Sequence, residues 1–231
     1  MLNKASISIL IFSIVSSSIV VAKPNLDTTT LKEMESLRSQ YKLPSLSLAV
    51  SIDDEIVFAQ AIGFSDISSS QLANEKTQYS VGSLAKPMTG LALAKLVDLG
   101  KIGLQNPVSA YIKKPKYTTT FNVEELAAHI AGVPHDTPER DIAEFEVIKD
   151  HRSPSEAFYV FDKHPLLFSP GSEYRYSSNG YILLSAVIEK AGEINYVDFL
   201  KGSLWKTFKM NNTELDTSFA GLINEATYYV D

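Results

Sequence analysis

Between positions 28 and 41, Leu31, Met34, Leu37 and Tyr41 recur at three- and four-residue spacing, which predicts a helix. From Ser45 the period drops to two. Leu46, Leu48, Val50 and Ile52 alternate with smaller residues, Asp53-Asp54 offers a turn, and the run 56–62 is apolar again. That pattern predicts a hairpin ended by Gly63, and a polar loop containing Ser68-Ser69-Ser70 follows. Over 84–99, Met88, Leu91, Ala92, Lys95, Leu96 and Leu99 trace a mostly apolar stripe, and Gly100 stands where a C-cap glycine is expected. Pro87 fits only the first turn of a helix, so this one has to begin close to Ser83. Shorter helices are expected over 123–130 with Asn122 as N-cap, over 181–191 closed by Gly192, and over 196–208 with Asn195 as N-cap. The run 226–230 has strand character.

The first twenty-two residues follow a different pattern. Lys4 is their one charge, the stretch 7–21 is apolar but diluted with serine, and Val20-Val21-Ala22 puts small residues at the −3 and −1 positions of a cleavage site. About fifteen moderately apolar residues fall short of the roughly 20 that span a bilayer. Residues 1–22 are therefore expected to be a signal peptide. Residues 23–231, with no linker, repeat or charge block, read as one exported domain, periplasmic or secreted, with no stable membrane span after cleavage.

Composition narrows the function. A chain of 231 residues that is 45 % hydrophobic can bury one sizeable core. A formal charge of −6, with no stretch dense in Lys and Arg, argues against nucleic acid as a partner. The absence of cysteine excludes disulfide scaffolds, thiolate zinc sites, iron–sulfur clusters and a cysteine nucleophile. His129, His135, His151 and His164 do not fall at one-turn spacing with a carboxylate, so they read as surface or loop histidines rather than zinc ligands. No metal or organic cofactor is implied.

The nucleophile elbow, phosphate loop, dinucleotide fingerprint and zincin motif are all missing from the sequence. What remains is Ser-x-x-Lys, in which a lysine one turn after a serine can take its proton. It occurs at Ser39/Lys42, Ser83/Lys86 and Ser203/Lys206, close to what composition alone would produce. Ser39 falls at the end of the first helix, and Ser203 inside a helix as a solvated pair. Ser83 alone opens a helix, after the β-capable Tyr79-Ser80-Val81 and Gly82. There its N–H is unused by the helix and could help hold an oxyanion, while Lys86 shares its face. A second element, Pro170-Gly171-Ser172-Glu173-Tyr174-Arg175-Tyr176-Ser177-Ser178, is a Gly/Ser-containing loop that can present a phenol and a hydroxyl to a cleft. An N-cap serine with an exposed lysine, and a core tyrosine, are the bland alternatives.

Together these segments resemble the serine β-lactamase-related family, which includes class C β-lactamases, D-alanyl-D-alanine carboxypeptidases and esterases. Ser83-Leu84-Ala85-Lys86 with its following helix resembles the first family motif, and Tyr176-Ser177-Ser178 resembles the second, Tyr-Ser-Asn. Glu125-Leu126-Ala127-Ala128-His129-Ile130-Ala131-Gly132-Val133-Pro134 is similar to the family's LLxHxSGLP segment, and 204–210 to its lWxPLGM segment. The resemblance implies an α/β fold of the β-lactamase/transpeptidase type, an antiparallel sheet flanked by helices, with a mostly helical region between the two motifs. It implies acyl transfer on a β-lactam, D-alanyl peptide or ester. Ser83 would be the nucleophile, Lys86 would take its proton, Tyr176 would relay a proton, and Ser178 would contact substrate.

Two departures shape the expectation. Ser178 replaces the motif's asparagine, which favours a general hydrolase over an efficient β-lactamase. The family's third motif, Lys-Thr-Gly or His-x-Gly, is not found after the second. The sequence therefore reads as the N-terminal part of a longer member whose hairpin edge and oxyanion site await further strands. The alternative function is a degenerate, non-catalytic relative that acts at most as a binding module.

Overall fold

The computed structural model describes residues 26–138, 153–216 and 224–229. The expected signal peptide over 1–22, together with His151, lies outside them. The described residues form two compact units that divide between Glu75 and Lys76.

The first unit is helix α1 (Leu26–Gln40) followed by strands β1 (Ser45–Ile52), β2 (Glu55–Asp66) and β3 (Gln71–Leu72), an antiparallel sheet in the order β1-β2-β3. The period-2 pattern becomes a hairpin in which Ser45 pairs with Gly63 and Ile52 with Glu55. Its two-residue turn places Asp53 and Asp54 at φ 51° and 64°. Positive φ at both positions is the twist-matched turn that tight hairpins favour, and aspartate tolerates it better than most residues. Gly63 is the last residue in register with β1, as expected, but strand β2 runs on to Asp66 and pairs with β3, a strand too short to leave a periodic signal. The serines between them fold back on Asp66, whose carboxylate accepts the Ser68 and Ser69 hydroxyls at 2.7 Å each.

The second unit is helical, built around α2 (Lys86–Asp98), α3 (Val123–Ala127), α4 (Ser178–Gly192) and α5 (Tyr196–Leu200). Leu183, Leu184, Val187 and Ile188 of α4 are fully buried against Ala92, Leu93 and Leu96 of α2, Leu126 of α3 and Phe161. Each aliphatic side chain so buried contributes roughly 1.5–3 kcal/mol over an exposed one. This core fixes where both ends of the site sit, because α2 carries one and α4 the other.

Caps explain the helix ends. Asn122 and Glu125 form a capping box at α3, each side chain accepting the other's backbone N–H, at 2.8 and 2.9 Å. Asn195 accepts Val197 N–H at 3.0 Å to start α5. The helix expected over 196–208 is interrupted. It passes from α5 into a π turn over Lys201–Trp205, where Lys206 N–H reaches back to the Lys201 carbonyl. Gly202, a poor helix former at the middle of this stretch, marks the place where the α ladder gives way. The left-handed residue closing α4 is Glu193 at φ 57°, one position beyond the expected Gly192. Of the run expected to have strand character, the described residues 226–229 form no regular strand. Glu225 bridges Gln78 in parallel, and Gln78 exchanges backbone bonds with Asn224 and Ala226 at 2.8 and 2.9 Å.

Candidate active site

Ser83 is the second residue of a 3-10 turn over Gly82–Ala85, and α2 starts at Lys86 with Pro87 in its first turn. A 3-10 turn eclipses side chains three apart, so the serine hydroxyl and the lysine amine point the same way. Lys86 Nζ donates to Ser83 Oγ at 3.0 Å. Gly82 enters the turn at φ 51°, a conformation that costs any residue with a Cβ, although a Cβ there would meet no atom within 4 Å. Upstream, Ser80 N–H donates to the Tyr228 hydroxyl at 2.9 Å, which ties the approach to Ser83 to the Gln78–Glu225 bridge. One turn downstream, the buried Thr89 hydroxyl meets Tyr196 Oη at 2.7 Å and pins α2 to α5.

Tyr176 enters from the loop before α4, and its hydroxyl lies 2.5 Å from Ser83 Oγ. Ser177 caps α4 by accepting Gly180 N–H at 2.9 Å. Ser178 is therefore the first helical residue, not part of the loop. Its Oγ accepts a second bond from Lys86 Nζ, at 3.2 Å. The ammonium also stands 4.8 Å from the centre of the Tyr176 ring. Ser83, Lys86, Tyr176 and Ser178 thus converge on one point; Ser83 is exposed and the other three are half-buried.

The electrostatics follow from this packing. Donation from Lys86, then from Ser83, stabilises the phenolate and lowers the Tyr176 pKa from 10 to about 8, against the opposing effect of burial. A serine hydroxyl in contact with a phenol of lowered pKa, and with a lysine donor, is an arrangement in which a base can activate a hydroxyl for attack. The other two Ser-x-x-Lys matches lack this surrounding. Ser39 Oγ donates to Glu35, and Ser203 lies in the π turn, where its carbonyl accepts the Thr207 hydroxyl.

Asn179 does not supply the amide that Ser178 lacks. It is fully buried, and its Nδ2 donates to the carbonyls of Pro134 and His135 at 2.9 and 3.1 Å. Those bonds dock the 129–135 segment onto α4. Gly132 lets the same segment lie close to the chain at 166–168, since a Cβ at its φ of 79° would stand 2.7 Å from the Phe168 carbonyl oxygen.

His129 and His135 lie in loop segments, as expected from the sequence, but they are not free at the surface. His129 and His135 are half-buried, and both rings face Tyr176, with centroids at 4.8 and 5.4 Å. His129 Nδ1 accepts Ser177 N–H and His135 Nδ1 accepts Ser178 N–H, both at 3.1 Å. The signal for His129 was its place in the 125–134 motif; His135, next to it, carried none.

Residues 29–231 match the family described as Beta-lactamase. The human serine beta-lactamase-like protein LACTB, mitochondrial, is 23 % identical over 264 aligned positions, covering 84 % of this chain and 47 % of that protein. Protein flp of Staphylococcus aureus is 25 % identical over 176 positions, covering 74 % and 34 %. The chain therefore spans less than half the length of these curated relatives. Among solved structures, a penicillin binding protein from Bacillus halodurans superposes with a TM-score of 0.72 at 22 % identity, over 86 % of this chain and 60 % of that one. The octameric penicillin-binding protein homologue from Pyrococcus abyssi gives 0.71 at 24 % identity, over 87 % and 48 %. These neighbours share the α/β fold of helices with an antiparallel sheet.

Proposed function

The chain belongs to the β-lactamase family, and from that premise we propose that it is a serine hydrolase transferring acyl groups through Ser83. The observation that carries this reading is the pair of contacts on Ser83 Oγ, 2.5 Å to the Tyr176 hydroxyl and 3.0 Å to Lys86 Nζ.

In the acylation step Ser83 Oγ attacks the substrate carbonyl carbon and its proton passes to the Tyr176 phenolate. The tetrahedral adduct collapses, the bond to the leaving group breaks, and that group takes the proton from Tyr176. Water then attacks the acyl-enzyme, again giving a proton to Tyr176; as that adduct collapses the bond to Ser83 Oγ breaks, Ser83 takes the proton back from Tyr176, and the carboxylic acid leaves with the phenolate restored. The sequence suggested Lys86 as the direct proton acceptor. The Tyr176 pKa near 8, with Lys86 as its leading cause, supports the tyrosine in that role and the lysine as the donor that sustains it.

The substrate class is a carbonyl compound with a leaving group: an ester, a D-alanyl peptide or a β-lactam. Ser178 is shorter than the asparagine of the family motif and carries one hydroxyl in place of an amide with two donors. That favours a simple ester over efficient β-lactam hydrolysis. The signal-type sequence over 1–22 supports action outside the cytoplasm, on a small-molecule or peptide substrate.

Hydrolysis of a chromogenic ester tests the reading. Wild-type turnover that falls at least ~10³-fold in Ser83→Ala supports it. Equal turnover in both proteins, or none with ester, D-alanyl and penicillin-type substrates alike, overturns it, and the latter result favours a non-catalytic binding module.

A further inference from the structure

We infer that His129 is a positioning residue that clamps the backbone on both sides of Tyr176 and does so only as the neutral tautomer protonated on Nε2. The inference rests on the catalytic reading above, because it concerns how the tyrosine is aimed at Ser83.

The geometry is specific. The His129 carbonyl accepts Arg175 N–H at 2.9 Å, and its ring Nδ1 accepts Ser177 N–H at 3.1 Å. The residues immediately before and after Tyr176 are thus held by one histidine, and His135 Nδ1 holds the next N–H, that of Ser178. Ser177 and Ser178 are the N-cap and first residue of α4, so the helix itself offers their N–H groups no acceptor. The histidines supply it. A backbone N–H can only donate, so Nδ1 must hold a lone pair and the ring proton must sit on Nε2.

His129 is also braced. Its ring stacks on Tyr181 at 4.9 Å and 26°, and Tyr181 donates its hydroxyl to the Ala127 carbonyl at 3.1 Å. The backbone at His129 stands at φ 62°, a left-handed conformation that only a few per cent of non-glycine residues adopt. The residue therefore occupies a place where both its main chain and its ring are constrained.

Protonation of Nδ1 removes the acceptor and places a cation beside Lys86. The charged and titratable groups around the ring are Lys86 from α2, His135 from the same segment, Tyr174, Arg175 and Tyr176 from the loop, and Tyr181 from α4. Glu125 of α3 is turned to the Asn122 N–H, and Asp136 lies 3.8 Å from the far nitrogen of His135. Burial first, then Lys86 and His135, hold the His129 pKa below the usual imidazole value. The clamp is thus kept neutral at physiological pH and opens in acid.

The substitutions follow from the chemistry. In His129→Asn the new amide oxygen would stand near the position of the ring Nδ1 and accept the same N–H. An asparagine also tolerates the left-handed backbone and never titrates. His129→Phe keeps a ring and loses the acceptor. The readout is the rate at which a fluorophosphonate probe labels Ser83 in the full chain as a function of pH. Wild type should slow about tenfold per pH unit below about 8 as Tyr176 is protonated, and steepen toward a hundredfold per unit once His129 is protonated too. His129→Asn should keep the wild-type rate near neutrality and lose the steepening. His129→Phe should be slower on the order of 10²-fold throughout, the scale set by misplacement of a reacting group. Nitrogen-15 NMR of the histidine rings should show His129 protonated on Nε2. Wild-type behaviour in His129→Phe, equal loss in both variants, or an Nδ1–H tautomer overturns the inference. Failure of wild type to label at Ser83 instead overturns the catalytic reading, and the ring tautomer still decides the clamp.

Discussion

Tyr176 Oη and Ser83 Oγ, 93 positions apart in sequence, stand 2.5 Å apart in the fold. Neither belongs to the same element as the other. The contact exists because the buried face of α4 packs on that of α2, and each helix begins at the site.

The active form of Tyr176 is expected to be the phenolate, whose population grows as pH rises through about 8. kcat/KM for an ester should therefore climb about tenfold per pH unit up to that region and then level. Tyr176→Phe should lower kcat/KM by about 10²–10⁴-fold and flatten the profile. A profile that falls as pH rises through 8 would contradict the assignment.

Removing the lysine should release the tyrosine. In Lys86→Met the main cause of the lowered phenol is gone, and the Tyr176 titration should move up toward the ordinary value of about 10. Ultraviolet difference titration, with Tyr176→Phe as the subtraction, reads it directly. An unshifted titration would mean that Lys86 does not act on the phenol.

Ser178 is the second hydroxyl, besides Ser83, to which Lys86 Nζ donates. Ser178→Ala should cost about one charge-assisted hydrogen bond, roughly 1.5 kcal/mol, and reduce kcat/KM about tenfold with little change in stability. Loss of stability instead, measured by chemical denaturation, would make Ser178 a structural residue.

Leu183 is fully buried on α4, five residues beyond Ser178. Leu183→Ala should destabilise the second unit by about 2–5 kcal/mol in urea denaturation. A cost under about 1 kcal/mol would indicate that the α2–α4 interface is not the scaffold described.

How much of this was legible in sequence varies with the range of the forces involved. The two ends of α2 were readable because Pro87 at its start and Gly100 past its end act locally, through φ and through the missing Cβ. The hairpin was readable for the same reason: Asp53-Asp54 is a local turn signal between two period-2 runs. The β3 pairing and the π turn at Lys201–Trp205 were not, since two residues carry no period and an α stripe looks the same across one extra residue. The histidines were the largest omission. Their Nδ1 bonds go to N–H groups 48 and 43 positions away, and no spacing rule within a single sequence connects a ring to a distant backbone.

The central claim is that Ser83 is the nucleophile, activated by Tyr176 and Lys86. Its most direct test is the mass of the intact protein after treatment with a fluorophosphonate probe, followed by fragmentation to find the modified residue. The account predicts a single adduct on Ser83 that is absent in Ser83→Ala and much slower to form in Tyr176→Phe. An adduct on Ser39 or Ser203, or undiminished labelling of Ser83→Ala, would contradict it.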